Sequence, residues 1–406
     1  MSDLFAGNTI LELGGGAAGP VATRYFADHG ATVIRIESRR RPDFLRVLRL
    51  TPDTPGGLDG GEQFAVLNAG KLSVALDLST PDGVAVARRL ALWADVVAEN
   101  FAPGAMAKWG LDYASLVRDR PDLVMVSTCL NGQTGPQRSY PGFGGQGSAL
   151  SGFNHLTGWP DREPVGPFGT ITDSLSPRFA ALLLATALWH RERTGEGQYV
   201  DLSQVEAGVV CLTENLLTWT AAGETLARVG NRSRHAAPHG VFRCRDAGGR
   251  ERWLALAVHD DADWARLVDV LERPAWASAP PLATAAGRLA DVEQIEAALA
   301  AWTAGHDAAT LATRLQAAGL DAAVVADLGD LHDDPQLAHR NAFSMVHHPV
   351  LGAHTAESHA IRFSAMAPRV ERPAPRLGEH TRQVLCGLLG MPPEEFARLR
   401  DAGIFE

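Results

Sequence analysis

Short apolar runs recur along the first half of the chain, at 8–13, 31–37, 72–77, 95–99 and 123–129, and each reads as a strand. Between them lie segments of helical spacing. One runs from Ala22 to a glycine stop at Gly30, and another opens at Thr80-Pro81-Asp82, a cap residue followed by a first-turn proline and an acid. Strands alternating with helices predict an α/β fold whose parallel sheet is covered on both faces. A Pro/Gly-rich loop at 51–61 interrupts the alternation. Ser176-Pro177 repeats the cap-and-proline signal and predicts an alanine- and leucine-rich helix to about Arg193, stopped by Thr194-Gly-Glu-Gly197 and followed by a strand at Tyr199 to Leu202.

Past residue 224 the texture changes to shorter strands, at Gly240 to Cys244 and Trp253 to Val258, with a helix at Ala262 to Leu271. This predicts a smaller α+β domain over 225–320, inserted in a large domain made of 1–224 and 321–406. Ala322 to Asp327 and the C-terminal helices are expected to return to the large domain. No internal repeat or low-complexity tract is present.

Composition narrows the class. The 406 residues are 46% hydrophobic and 21% charged, an ordinary globular balance for two or three domains, without an apolar run long enough to cross a bilayer. The start, MSDLFAGNTI, lacks the pattern of a secretory signal. Cys129, Cys211, Cys244 and Cys386 are widely separated with no CxxC pair, which argues against a zinc ribbon or disulfide scaffold and for a cytoplasmic setting. The histidines at 332, 347, 348 and 354 match no compact metal spacing, so no metal is expected. A net charge of −10 argues against a nucleic-acid partner. An anionic ligand must then meet local cations. Arg35, Arg39, Arg40, Arg41, Arg46 and Arg49 form such a cluster, with a solvated loop as the equal alternative, and Lys71 and Lys108 are the only lysines.

Two motifs carry candidate chemistry. Gly14-Gly-Gly16-Ala-Ala-Gly19 after a strand, with Glu37 ending the next, has the form of a dinucleotide fingerprint; the alternative is a tight turn that needs glycine for packing. Asp173 lies in GPFGTITDSLSP (166–177). A turn or capping aspartate is the plain reading, yet Ser176 occupies the expected cap position. Asp173 is then left near the positive end of a helix, which favours the ionised carboxylate that a nucleophile needs.

In order and spacing, the stretches Ala18-Gly-Pro20, Ala31 to Glu37, Asn68-Ala-Gly-Lys71, Ala94 to Gly104, Ser151-Gly152, Thr157-Gly158, Asp173 with its helix, Arg193 to Gln198, Gly230-Asn231 and Leu377 to Thr381 resemble the class III CoA-transferases. This group includes the formyl-CoA and carnitine CoA-transferases. The resemblance implies a Rossmann-like large domain whose parallel sheet is formed from both chain ends, a smaller α+β domain, and two subunits threaded as interlocked rings, identical or homologous. It implies transfer of CoA from an acyl-CoA to a free carboxylic acid through an aspartyl intermediate on Asp173, without nicotinamide and without a membrane partner. CoA contacts carry over to Ala17, Ala18, Lys71, Asn100, Phe101 and Lys108 and to a basic position at Ser38 or Arg39, of which Arg39 is chosen; the acceptor pocket carries over to Phe143, Gly144, His239 and Gly240, with an oxyanion loop over Gly230 to Gly240. Formyl-CoA transferases carry a lysine, a tyrosine and a glutamate in the segment matching Pro141-Gly-Phe-Gly144, and a glutamine near Ala17. Their absence here argues against a formyl/oxalate pair and for a bulkier acceptor. An α-methylacyl-CoA racemase of the same fold is a further alternative, but its proton-transfer histidine falls at Phe143; an NAD-linked oxidoreductase using the Gly14–Gly19 turn is the other.

Overall fold

A computed structural model of the protein describes residues 3–168, 170–366, 370 and 372–405; Met1 and Ser2 of the N-terminal signal reading and Gly169 of the 166–177 stretch lie outside them. The chain starts with β1 (Thr9–Leu13), α1 (Ala18–Ala27), β2 (Thr32–Glu37), β3 (Leu72–Ala75), α2 (Pro81–Trp93), β4 (Val96–Glu99) and β5 (Val124–Cys129). It continues with α3 (Gly144–Leu150), α4 (Ile171–Thr194), β6 (Tyr199–Ser203), α5 (Gln204–Val210) and α6 (Thr213–Ala222). The six strands form one sheet in the order β3-β2-β1-β4-β5-β6, parallel throughout. Strand order reverses between β1 and β4, and in open α/β sheets ligands bind in the crevice outside the strand carboxyl ends at such a switch point. No helix among the described residues is long and apolar enough to cross a membrane.

Contacts divide the chain into two compact units, one of 1–155, 165–226 and 336–406, the other of 156–164 and 227–335. The second unit holds β7 (His239–Arg245) and β8 (Glu251–Ala257), then α7 (Asp261–Val270), α8 (Val292–Thr303), α9 (Ala308–Ala317) and β9 (Asp321–Val324). β9 pairs antiparallel with β8, so the strand expected near 322 is the third strand of this small sheet and does not return to the large domain. A short apolar run states that a strand forms but not which sheet takes it.

The C-terminal part of the first unit supplies the hairpin β10 (Phe343–His348) and β11 (Gly352–Glu357) and the helix α10 (Pro393–Asp401). The large sheet draws every strand from 9–203, which corrects the expectation that both chain ends build it. The C-terminal segment contributes packing: Val384, Leu385 and Phe396 join Leu11, Ile34 and Val97 on one sheet face. Ile10, Val33, Val96 and Val124 face the other side, against Phe26 of α1 and Leu184 of α4. Burial on both faces explains why these strands read as continuous apolar runs.

Helix starts divide into one that the local sequence sets and two that it does not. Thr80 caps α2 as predicted, its hydroxyl accepting from Gly83 N–H at 3.1 Å. α1 begins at Ala18, four residues before the expected Ala22. α4 begins at Ile171, not after Ser176: Pro177 lies inside the helix, and the buried Ser176 Oγ has no hydrogen-bond partner among the described residues. A tertiary bond holds the extra turn, Thr172 Oγ1 donating to Gly144 O at 3.0 Å. Proline tolerates helical φ, but it gives up the N–H that would have reached the Asp173 carbonyl and its ring crowds that carbonyl.

Charge is buried along β1 and β2 and beside the start of β3. Glu12 and its register partner Arg35 are almost fully buried, as is Lys71. Glu12 accepts from Lys71 Nζ at 2.7 Å, from Arg35 and from Thr23. Arg35 also pairs with Asp43, and Arg46 makes two bonds to Glu37, at 2.7 and 2.9 Å. The solvated-loop reading of the arginine cluster therefore fails for Arg35 and Arg46, and Arg40 pairs with Asp77 at 2.7 Å; Arg39, Arg41 and Arg49 are exposed. Burial alone would raise the Glu12 carboxyl, but Lys71 and Arg35 outweigh it and hold the pKa at about 2. Its contribution to stability is complete above its ordinary value of 4.5 and is withdrawn as pH falls toward 2. Glu12→Gln strands buried cations and is expected to cost about 3–5 kcal/mol in urea unfolding at pH 7. Arg88→Ala, which breaks the more exposed pair with Asp119, is expected to cost at most about 1 kcal/mol. Equal losses for the two variants would contradict the assignment.

Candidate active site

The glycine turn after β1 is shaped by Asn100, the residue after β4. Gly15 N–H donates to Asn100 Oδ1 at 3.0 Å, and Asn100 Nδ2 donates back to Gly15 O at 2.6 Å. Gly14 has φ +126°, and a Cβ there would overlap the Asn100 amide. Gly16 N–H donates to Asp43 at 3.2 Å, which ties the turn to the buried charges. The turn thus uses glycine for close packing. Glu37, the acid the fingerprint reading requires, is buried and bonded to Arg46 and to Ser73 Oγ, which leaves no free carboxylate for a ribose.

The turn lines a cavity of about 210 Å³ at the sheet's switch point. The cavity gathers Ala17, Ala18, Asn100, Phe101, Phe143 and Asp173, residues spread over more than 150 positions of sequence, together with Phe44, Cys129, Arg138, Tyr140 and Gln204. Phe143 stands 6.5 Å from Phe44, ring centre to ring centre.

Asp173 sits in the first turn of α4, where the starts of three helices meet. Gln204, the first residue of α5, donates from Nε2 to Asp173 Oδ1 at 2.9 Å, and the N–H of Gly144, the first residue of α3, also bonds the carboxylate. Glycines allow the approach: a Cβ at Gly144 would overlap the carboxylate, one at Gly147 would overlap Thr172 Oγ1, and one at Gly208 would crowd Ser151 at 2.7 Å. Burial pushes the Asp173 carboxyl up from its ordinary value, and the bonds from Gln204 and Gly144 pull it down. The expected net favouring of the ionised form is corrected: desolvation outweighs the donors, which makes the carboxylate a stronger base than a solvated one. Cys129 does not compete as a nucleophile. Burial, then the carboxylates of Asp201 and Glu99, push its thiol up to about 11.

Other residues fall elsewhere. Lys71 is fully buried, with Nζ bonded to Glu12, to Pro20 O at 2.9 Å and to Asn68 Oδ1 at 2.9 Å, so it holds the fold and presents no ammonium to a ligand. Arg39 and Lys108 are exposed and do not line the cavity. His239 and Gly240 open β7 in the second unit, His239 Nδ1 lying 2.6 Å from Asn231 O. Gly230 N–H is occupied by Gly158 O at 2.9 Å, which removes it as an oxyanion donor. Among the described residues, no group of three His, Cys, Asp or Glu side chains could hold a metal ion. Sequence reading missed Gln204, Arg138 and Glu99. Buried Glu99, raised to about 7 chiefly by burial, accepts Phe101 N–H at 2.8 Å and so fixes the turn that presents Phe101. No local signal marks Gln204, since its role depends on a partner 31 residues away.

Comparison with known proteins places the chain in a family. The family model for CoA-transferase family III matches residues 5–381. Succinyl-CoA–D-citramalate CoA-transferase of Chloroflexus aurantiacus is 33% identical over 392 residues, covering 96% of this chain and 95% of that protein. Succinate–glutarate CoA-transferase of Agrobacterium fabrum is 31% identical, covering 94% and 95%. The crystal structure of a CAIB/BAIF family protein from Brucella suis superposes with a TM-score of 0.86 at 28% identity, covering 96% of this chain and 100% of that one. With a doubly wound sheet, a cavity at its switch point and a family match across nearly its whole length, the chain belongs to CoA-transferase family III.

Proposed function

We propose that the protein transfers CoA from an acyl-CoA to a free carboxylic acid, with Asp173 as covalent nucleophile. The observation that carries this reading is the Asp173 carboxylate on the cavity wall, half-buried and held by Gln204 and Gly144 beside the glycine turn. An Asp173 oxygen attacks the thioester carbonyl, the C–S bond breaks, and CoA leaves as thiolate from a mixed anhydride. The thiolate attacks the aspartyl carbonyl, giving an aspartyl-CoA thioester and the free donor acid. The acceptor carboxylate then attacks that thioester, and the released thiolate takes the acceptor acyl group from the second anhydride, restoring the Asp173 carboxylate. No net proton is taken up. Splitting the exchange into steps with a tethered carboxylate replaces a slow bimolecular attack by intramolecular ones. Ala17, Ala18 and Phe101 line the CoA side of the site in this reading, exposed Arg39 and Lys108 meet its anionic groups, and Phe143 and Gly144 face the acyl group. Phe143 carries no group able to exchange a proton, which favours transfer over racemisation.

The cytoplasm suits four free cysteines. A second copy of the chain, interlocked with the first, suits α6: none of its residues is buried, and Leu217 and Trp219 are 62% and 60% exposed. The succinyl-CoA–L-malate CoA-transferase of Chloroflexus aurantiacus has alpha and beta subunits, 31% and 30% identical to this chain, so a homologous partner is the other form this surface would fit.

Asp173→Asn is expected to lower turnover of succinyl-CoA with a panel of acids, read as new thioesters by mass spectrometry, by roughly 10³-fold or more; intact turnover would overturn the reading. Gly144→Ala, which intrudes on the carboxylate without removing it, is expected to lower kcat in the same assay. Because Asp173 reacts ionised, the rate falls at acid pH. Gln204→Leu removes a donor that favours the anion, so the acid limb of kcat is expected to move to higher pH, and a limb that stays in place contradicts the role of Gln204. Leu217→Glu combined with Trp219→Glu is expected to shift the mass by light scattering from dimer to monomer, whereas a dimer that persists contradicts the proposed use of α6.

A further inference from the structure

Asp173 and Arg138 are the only cavity-lining residues, among those described, that carry a formal charge at neutral pH. Asp173 is bonded on both sides. The Arg138 guanidinium is exposed and has no hydrogen-bond or ion-pair partner among the described residues; only its backbone N–H is used, donating to Gly135 O at 3.4 Å. The loop that carries it is tied at its base. Gln133 N–H donates to both oxygens of Asp201, at 2.9 and 3.1 Å, and Asn131 Nδ2 donates to Gln137 O at 3.1 Å. Arg138 also borders a second cavity of about 440 Å³, whose lining holds the carboxylates of Asp201 and Glu206.

This inference rests on acyl transfer at Asp173. The acyl carbon must lie against that carboxylate, and the remainder of the acyl group then extends along a wall whose one cation is Arg138. A planar guanidinium matches a carboxylate with two parallel hydrogen bonds, and such charge-assisted pairs are about twice as strong as neutral ones. A neutral acyl chain would strip water from the cation and return nothing. Donor acyl group and acceptor acid occupy the same place in turn, so one cation serves both. We infer that Arg138 is a specificity-determining residue: its guanidinium receives the second carboxylate of a dicarboxylic acid while the first carboxyl reacts at Asp173.

The test compares two donors that differ in that carboxylate. For the wild type, and for Arg138→Met and Arg138→Lys, kcat/KM is measured with succinyl-CoA and with acetyl-CoA. Arg138→Met is expected to lower the succinyl-to-acetyl ratio by about 10–100-fold, the scale of a lost hydrogen bond to a charged group. Arg138→Lys, which keeps the charge and loses the fork, is expected to fall between. An unchanged ratio overturns the proposal, whether both rates fall together, as they would if Arg138 served the CoA phosphates, or neither falls. A measurement on the wild type alone gives a second arm: glutarate is expected to inhibit acetyl-CoA turnover more tightly than pentanoate, and equal inhibition overturns the proposal even if the variants fail to fold. A wild type that makes no thioester from any acid shows a different failure, that of the transferase reading itself.

Discussion

A carboxylate that must attack a thioester has to be dry enough to react and still charged. The two demands oppose each other, because leaving water raises the pKa and removes the anion. At Asp173, the proposed nucleophile, two donors approach and offset part of the desolvation, which still prevails: one side-chain amide from α5 and one backbone N–H from α3. That approach needs residues without side chains. Gly144, Gly147 and Gly208 occupy three points where any Cβ would collide with Asp173, Thr172 or Ser151. On the proposed mechanism, the reactivity of the site is set by packing as much as by the choice of aspartate.

The opposite wall depends on a second buried arrangement. Glu12, Arg35, Lys71 and Asp43 neutralise one another beneath the glycine turn, and Arg35 Nη2 donates to Gly14 O at 3.0 Å. Asn100 closes the turn from β4. Together these hold the first strand–helix connection at the sheet's switch point, so that the cavity has one wall built on β1 and β4 and another on the starts of α3, α4 and α5. Four charged groups beneath a ligand-facing loop are a costly way to fix a backbone, and removing one member strands the others. Ion pairs of this kind fix geometry more than they add stability.

The parts of the fold legible in the sequence were those governed by neighbours along the chain. β4 and β5 begin one residue inside their predicted ranges because a strand buried on both faces leaves an unbroken apolar run, and Thr80 caps α2 by a local rule. Contacts between distant residues were not legible. The first turn of α4 is held by Thr172 against Gly144, 28 residues away, and this overrides the proline signal at 177. Lys71 looked like a ligand cation because its partner Glu12 lies 59 residues off, in another strand. β9 chose the small sheet for similar reasons. Of the cavity lining, the residues themselves pointed to Asp173 and the family resemblance to Ala17, Ala18, Asn100 and Phe101, while Gln204 and Arg138 required the fold.

The account stands on an acyl group resting on one side-chain oxygen, and peptide mass spectrometry reads that event directly. Protein incubated with succinyl-CoA and an acceptor acid, then quenched with hydroxylamine or borohydride and digested, is predicted to show a modified peptide spanning residue 173, at a level that follows thioester turnover. Product accumulating while that peptide keeps its native mass would contradict the account.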